Sequence, residues 1–540
     1  MKRISRITRE VRRLRDKMTP YHYGLLAVLT LWGGYFTSIW IRLFRYDSNS
    51  DIVTGYPLVW ADWAAHITYA SVFAFRAPAD WFIAHPLFAG AKFSYPFLPD
   101  AISGLLMRLG LDIIPAFIVP SIFATTALLY ILYRFTYQLT GRVKSAALAL
   151  SLFFTSGGLG FLYAIGKSET SSEWYTHIPE HGIYFINFVI GEMIPQRNFL
   201  FGLPIALGII LLLERMVTKK AKSYHAVAAG LLAGSLTAIH PHSLIVIIIV
   251  SAVYALCYRH KYLLFLRYAL VAATIVGIYW LVFLHESGSG SPPRWQWGWM
   301  SEGHNFILFE LLNFGIVIPL GIYAAWSQKW LKHPIFISAM VIFTSCHIVS
   351  FQAWEWDNTK LLTYSYLFLL LPIAKQLLWW WEHTARHYGK ILVTFCILLL
   401  STSGLIDINH MSNFDNHTNT LITRDDLQAI ARFRSISHSG AVILASQRSD
   451  QPFTMLGNTQ TLMAYEGWLW SYGINYAQTK SDIEKILSGS EGSLELLSRY
   501  HVSYIVVDNS LRETYLVNDK FLSQFPVVLS TASTTIYSLR

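Results

Sequence analysis

The stretch W-A-D-W-A-A-H, from Trp60 to His66, is the first place in this sequence where proton chemistry could be done. Asp62 and His66 stand four residues apart, and on a helix they share a face. A carboxylate so placed is either half of a structural Asp–His pair or a general base. Four more groupings concentrate polar chemistry. G-E-M-I-P-Q-R-N, Gly191 to Asn198, brings Glu192, Gln196 and Arg197 to the start of an apolar run. I-H-P-H-S sets His240 and His242 around a proline. P-P-R-W-Q-W-G-W, Pro292 to Trp299, mixes Arg294 with three tryptophans. W-E-W-D-N-T-K, Trp354 to Lys360, gathers Trp354, Trp356, Asp357 and Lys360.

Each grouping has a plain structural reading. Glu192–Arg197 and Asp357–Lys360 could be ion pairs, the histidines could cap a turn, and the tryptophans could form an interfacial belt. The sharper reading gives Arg197, Lys360, His240 and His242 to an anionic group such as a phosphate. His66, Glu192, Gln196, Trp354, Trp356 and Asp357 would support it. His-x-His alone supplies too few ligands for a metal. No metal site is expected, although a divalent ion stays an open option.

These residues must be positioned by apolar elements. Of the 540 residues, 54% are hydrophobic and 14% charged, against about 25% charged in soluble domains. Lipid must therefore solvate much of the surface. A span needs about 20 apolar residues. Eleven runs approach that, near 21–43, 112–133, 145–166, 199–214, 224–239, 243–258, 264–284, 305–326, 335–352, 361–379 and 390–408. The stretch 96–111 is apolar but interrupted by Pro99, Asp100 and Arg108, and reads as loop or re-entrant helix.

Orientation comes from basic residues in short loops. Eight lysines and arginines fall between Lys2 and Lys17, a positive-inside anchor that fills a cytoplasmic N-terminus, 1–20. With that end inside, every inner loop is basic: Arg134, Arg142 and Lys144, then Arg215 to Lys222, then Arg259 to Arg267, then Lys329 and Lys332, then Arg386 and Lys390. Eleven spans put the C-terminus outside. The formal charge of +10 is thus anchoring chemistry, and a nucleic-acid partner is excluded. Cys257, Cys346 and Cys396 sit in apolar runs and suggest no disulfide framework.

From about 409 the apolar runs shorten to strand length, at Ala441–Ala445, Tyr504–Asp508 and Pro526–Leu529, with helical patterns at 425–434, 481–487 and 493–500. The fold class expected is a polytopic α-helical membrane protein of about 11 spans. A multi-span region, 21–408, would hold a first exoplasmic loop at 44–111. A small extracytoplasmic α/β domain, 409–540, would follow. The sequon Asn416-His417-Thr418 lies just past the last run.

All five polar groupings fall on the outer face of this topology. A base, cations and aromatic platforms there suit group transfer from a lipid-phosphate donor. The sequence holds no G-x-G-x-x-G and no P-loop, so an activated donor would arrive in the membrane.

On these residues the sequence resembles the GT-C superfamily of integral-membrane glycosyltransferases. The stretch Asp62 to Ala74, with His85-Pro86 after it, is similar to the acidic–His and His-Pro elements in the first loop of protein O-mannosyltransferases. Those have two adjacent acids where this chain has Asp62-Trp63. E-G-W-L-W-S-Y-G, Glu466 to Gly473, is similar to the W-W-D-Y-G acceptor motif of oligosaccharyltransferases, without its acid. The resemblance implies a polyprenyl- or dolichyl-phosphate sugar donor and a protein, lipid or glycan acceptor on the non-cytoplasmic face. It implies Asp62 as catalytic base, and Trp468 with Trp354 and Trp356 framing sugar or acceptor. The membrane would be a bacterial plasma membrane, with the ER membrane as the alternative.

Two other classes compete. A transporter or flippase would line a route across the bilayer with charge, whereas here the ionisable groups stop at one surface. A non-catalytic scaffold would leave Asp62, Arg197 and Lys360 scattered in space.

Overall fold

The computed structural model describes residues 18–165, 174–285, 292–384, 387–414 and 418–539. The basic run Lys2 to Lys17, Arg386, and Asn416 and His417 of the sequon lie outside them.

Among the described residues six helices are long and apolar enough to cross a membrane: Pro20–Leu43, Ile113–Thr140, Arg197–Val217, Arg259–Leu284, Glu355–His383 and Tyr388–Met411. A seventh span counts if Phe306–Phe314 and Val317–Ser327 are joined across their 78° bend. That bend falls after Gly315, whose φ of +58° an L side chain would resist. The chain is a multi-span integral membrane protein.

Eleven spans were expected, and hydropathy explains the difference. The runs at 145–166, 243–258 and 335–352 fold as the shorter apolar helices Val143–Phe154, Pro241–Cys257 and Pro334–Cys346. The run at 224–239 yields the 13-residue helix Ser223–Ser235. At 1.5 Å per residue such a helix covers about 20 Å, short of a hydrocarbon core of about 30 Å.

Local chemistry sets the ends that matter for the site. Asp112 caps Ile113–Thr140 by accepting from the Ile114 amide. His240 caps Pro241–Cys257, its ring accepting from the Ser243 amide. The helix Pro57–Phe75 starts at a proline and carries both Asp62 and His66. It packs on the helix Leu98–Arg108 through Gly104, where a Cβ would collide with the Ala70 carbonyl and the Phe73 side chain. That close approach sets the two helices at the depth where their polar side chains meet.

Past residue 418 the chain changes layer. Strands Gln460–Thr461, Val442–Leu444, Val502–Asp508, Thr534–Ser538 and Val527–Ser530 lie side by side in that order. The first three run parallel and the last two join antiparallel. Helices Arg424–Ile436, Ala477–Ser488 and Ser493–Arg499 accompany them. The sheet's apolar core is shared with the early chain: Tyr69, Val72, Phe73, Leu87 and Phe93 pack with Ile483, Ile486, Ile505 and Leu511. Backbone bonds reinforce the join, with Thr461 donating to Pro86, Ala89 to Thr461 and Ala464 to Leu87. A smaller sheet ties Phe44–Tyr46 and Ile52–Thr54 to Asn419–Ile422.

Asp407, near the end of Tyr388–Met411, holds the loop at 174–176. Its carboxylate accepts from the Tyr175 amide at 2.7 Å, the Thr176 amide at 2.7 Å and the Thr176 hydroxyl at 2.6 Å. Replacing it with alanine leaves two enclosed amides without an acceptor, at roughly 1–3 kcal/mol each. We expect Asp407→Ala to lower the melting temperature of detergent-solubilised protein by several degrees. An unchanged melting temperature would show that the loop is held by other contacts.

Candidate functional site

Asp62 lies one turn before His66 on Pro57–Phe75, partly buried. Among the described residues no hydrogen bond reaches its carboxylate. Burial pushes its pKa up to about 6, opposed by the charges of His66 and Lys360 and reinforced by Asp357. His66 stays in electrostatic reach of Asp62, yet its hydrogen bond goes elsewhere. Its Nδ1 meets Asp100 Oδ2 at 3.0 Å, both residues buried. The expected Asp–His pair therefore exists with a different acid, and Asp62 is left uncommitted.

Lys360 opens the helix Thr359–His383 and pairs with Asp357 at 2.8 Å. Its ammonium acts on Asp62, Glu192, His240 and His242. Glu192 is buried in the turn Val189–Met193, and burial pushes its carboxyl up to about 8 against Lys360 and hydrogen bonds with Thr359 and Thr363. It is mostly neutral at pH 7. His240 bonds the Ser243 hydroxyl at 2.7 Å, and that hydroxyl bonds Tyr364. His240 and His242 sit with ring centroids 5.2 Å apart. Asp62, Glu192, Asp357, Lys360 and the two histidines thus form one electrostatic neighbourhood drawn from four distant stretches of chain.

Arg197 is placed differently from the expectation of a phosphate contact. Its guanidinium is enclosed, stacked 4.2 Å from the Phe117 ring centroid and 5.6 Å from that of Trp63. It donates to Ser103 at 2.7 Å, while Nε and Nη1 find no partner among the described residues. The charge of Asp100 acts on it from the same interior. A long cation opening a transmembrane helix is stabilised here by a buried carboxylate and aromatic faces rather than by snorkelling to water. Gln196 stands before the same helix, and its neighbour Asn198 donates to the Tyr95 hydroxyl and the Pro96 carbonyl.

The tryptophans divide. Trp356 is buried and donates to the Tyr184 carbonyl, and Trp354, 5.1 Å away between ring centroids, is exposed. Trp299 belongs to the core, but Trp295 and Trp297 face outward. Trp468 is partly buried against Tyr465.

Four participants, Asp100, Tyr69, Tyr95 and Tyr472, were given no role from the sequence. Asp100 holds His66. Tyr69 and Tyr95 stack at 3.8 Å. Tyr472, from the same Glu466–Gly473 motif as Trp468, hydrogen-bonds both tyrosines and lies in reach of Asp62 and Asp100. Burial raises the pKa of all three phenols, so they remain protonated. His85 joins them through the Tyr69 hydroxyl at 3.2 Å, and burial beside Arg76 lowers it to about 3, so it is neutral. A tyrosine in a Trp-rich motif was the available signal for Tyr472. Asp100 had only its position in an apolar, helix-forming run.

Among the described residues no group of three or more His, Cys, Asp and Glu side chains could hold a metal ion.

No protein-family model matches the sequence, and no curated protein matches it. Solved structures share this fold at low sequence identity. The chain is similar to the arabinofuranosyltransferase AftD from Mycobacteria, at TM-score 0.52 and 13% identity over 94% of this chain and 41% of that one. It is also similar to ArnT from Cupriavidus metallidurans bound to undecaprenyl phosphate, at TM-score 0.50 and 11% identity over 95% of this chain and 98% of that one. The apo form of that ArnT aligns at TM-score 0.50 and 13% identity over 94% and 97%.

Proposed function

We propose that this protein transfers a sugar from a polyprenyl- or dolichyl-phosphate-linked donor to an acceptor on the non-cytoplasmic face of the membrane. The observation that carries this reading is the uncommitted Asp62 carboxylate, set between His66 and Lys360 and without a hydrogen bond among the described residues. The GT-C fold, and the undecaprenyl phosphate bound by the ArnT neighbour, support it.

Asp62 takes the proton of the acceptor nucleophile as it attacks the anomeric carbon. The sugar–phosphate bond breaks, and the leaving phosphate carries its electron pair. Lys360 stabilises that developing charge, with His240 and His242 as hydrogen-bonding partners. Neutral Glu192 and Asp357 hold Lys360 in place. Arg197 acts from beneath, as the buried countercharge to Asp100, and so fixes His66. Trp354, Trp356, Trp468 and the tyrosines offer faces for sugar or acceptor. Inward-facing polar groups would instead cross the bilayer in a flippase, the second reading; no observation here favours it.

The test is purified protein incubated with a panel of polyprenyl-phosphate sugars, scored for donor turnover across pH. Proton acceptance requires ionised Asp62, so kcat/KM should rise about tenfold per pH unit and level off above about 6. Near 8 Glu192 ionises and adds a third acid around Lys360. Phosphate binding then weakens and the rate falls. Absence of turnover with every donor, alongside labelled-lipid flux into proteoliposomes, would replace this reading with transport.

A further inference from the structure

His240 is held at one edge of its ring and open at the other. Its Nδ1 accepts from the Ser243 amide at 3.3 Å, which caps the helix Pro241–Cys257. The same nitrogen meets the Ser243 hydroxyl at 2.7 Å, the shorter and stronger of the two contacts. A backbone N–H only donates, so Nδ1 presents its lone pair and carries no proton. The Ser243 hydroxyl therefore donates to Nδ1. Having spent its proton there, it accepts from the Tyr364 hydroxyl. Among the described residues no hydrogen bond reaches Nε2.

The ring is fixed in this pose. His240, Ser243 and Tyr364 are all enclosed. Phe199 stacks on the ring, with centroids 4.6 Å apart and planes 17° apart. Gly202, on the helix Arg197–Val217, permits the approach. A Cβ there would fall 2.6 Å from the His240 Cβ and 3.1 Å from Ser243 Oγ. The ring is also uncharged. Burial, then the charges of His242 and Lys360, hold it well below the ordinary histidine value. The positive end of the helix that it caps acts in the same sense. A neutral imidazole with a bare Nδ1 carries its proton on Nε2.

We propose that Ser243 is a positioning residue, which holds His240 in the tautomer that donates from Nε2 to an oxygen of the donor's phosphate beside Lys360. This deepens the transferase reading and rests on it. Lys360 supplies charge, and His240 supplies a directed, uncharged donor. The phosphate gains negative charge as the sugar departs, so the Nε2–H bond strengthens toward the transition state. With its one lone pair occupied at Nδ1, the ring takes no proton from the acceptor. That task stays with Asp62.

The experiment is nitrogen NMR of the full-length, detergent-solubilised protein carrying isotope-labelled histidine, with the His240 signals assigned by their loss in His240→Gln. The wild type should show a proton on Nε2 and none on Nδ1 across about pH 6–8, where an unperturbed histidine titrates. Undecaprenyl phosphate should move the Nε2 signal and leave Nδ1 in place. Ser243→Ala should let the second tautomer appear and weaken undecaprenyl phosphate binding by about tenfold. A purely structural serine would change the melting temperature and leave the tautomer alone. The wild-type measurements decide the matter even if the variant fails to fold. The inference is overturned by an imidazolium or an Nδ1 proton in the wild type, by undecaprenyl phosphate binding that leaves Nε2 unmoved, or by Ser243→Ala with the wild-type tautomer and affinity. Each of these results leaves the transferase reading standing. Absence of both undecaprenyl phosphate binding and donor turnover removes the two together.

Discussion

Asp62→Asn should reduce transfer by about 10²- to 10⁴-fold, the range for removing a positioned general base. The amide keeps the shape of the carboxyl and cannot accept a proton at catalytic pH. Because the wild-type carboxylate has no hydrogen bond among the described residues, the substitution breaks no structural contact there. Melting temperature and membrane insertion should be unchanged, and donor affinity with them. The loss should appear in kcat. The acid limb of the pH profile should vanish from whatever activity remains, since the group that titrates near 6 is gone. A correctly inserted Asp62→Asn protein with full activity would remove the base assignment.

Lys360→Met should cost about 10²- to 10³-fold, comparable with losing one preorganised donor to a developing oxyanion. Two consequences separate this role from simple scaffolding. The Lys360 charge lowers the pKa of Asp62. Without it Asp62 binds its proton more tightly, and the acid limb moves to higher pH. Asp357 loses its 2.8 Å partner at the same time, so some stability is lost as well. The double variant Lys360→Met/Asp357→Asn removes the stranded charge. It should regain stability without regaining activity. If activity returned with stability, Lys360 would be a structural residue only.

The sequence made some of this legible and hid the rest for physical reasons. Asp62 and His66 read correctly as neighbours on one helix face, because i and i+4 spacing is a local property. The partner of His66 did not, because Asp100 reaches it only after Gly104 lets two helices close together. Of the eleven apolar runs, six, or seven with the bent pair, form helices long and apolar enough to cross among the described residues, because hydropathy measures apolar content and not helix length. Ser223–Ser235 is apolar yet too short to cross. Arg197 was expected to meet a ligand on the strength of its place at a membrane boundary. Its fate was decided by Phe117, Trp63 and Asp100, from elements the sequence could not place beside it. The strands and helices of the tail were readable from short alternating runs. That Tyr472, rather than Trp468, hydrogen-bonds Tyr69 and Tyr95 was not, because a three-dimensional turn selects among adjacent aromatics.

The apolar core common to the five-stranded sheet and the residues from Tyr69 to Phe93 means that neither segment folds against water alone. A chimera that swaps only the tail would strand Leu87 and Phe93 without their mates and would pull Tyr472 from beside Asp62. The unit that must be inherited together in this protein is therefore a pair of segments separated by more than three hundred residues. Drift in one of them must be answered by drift in the other.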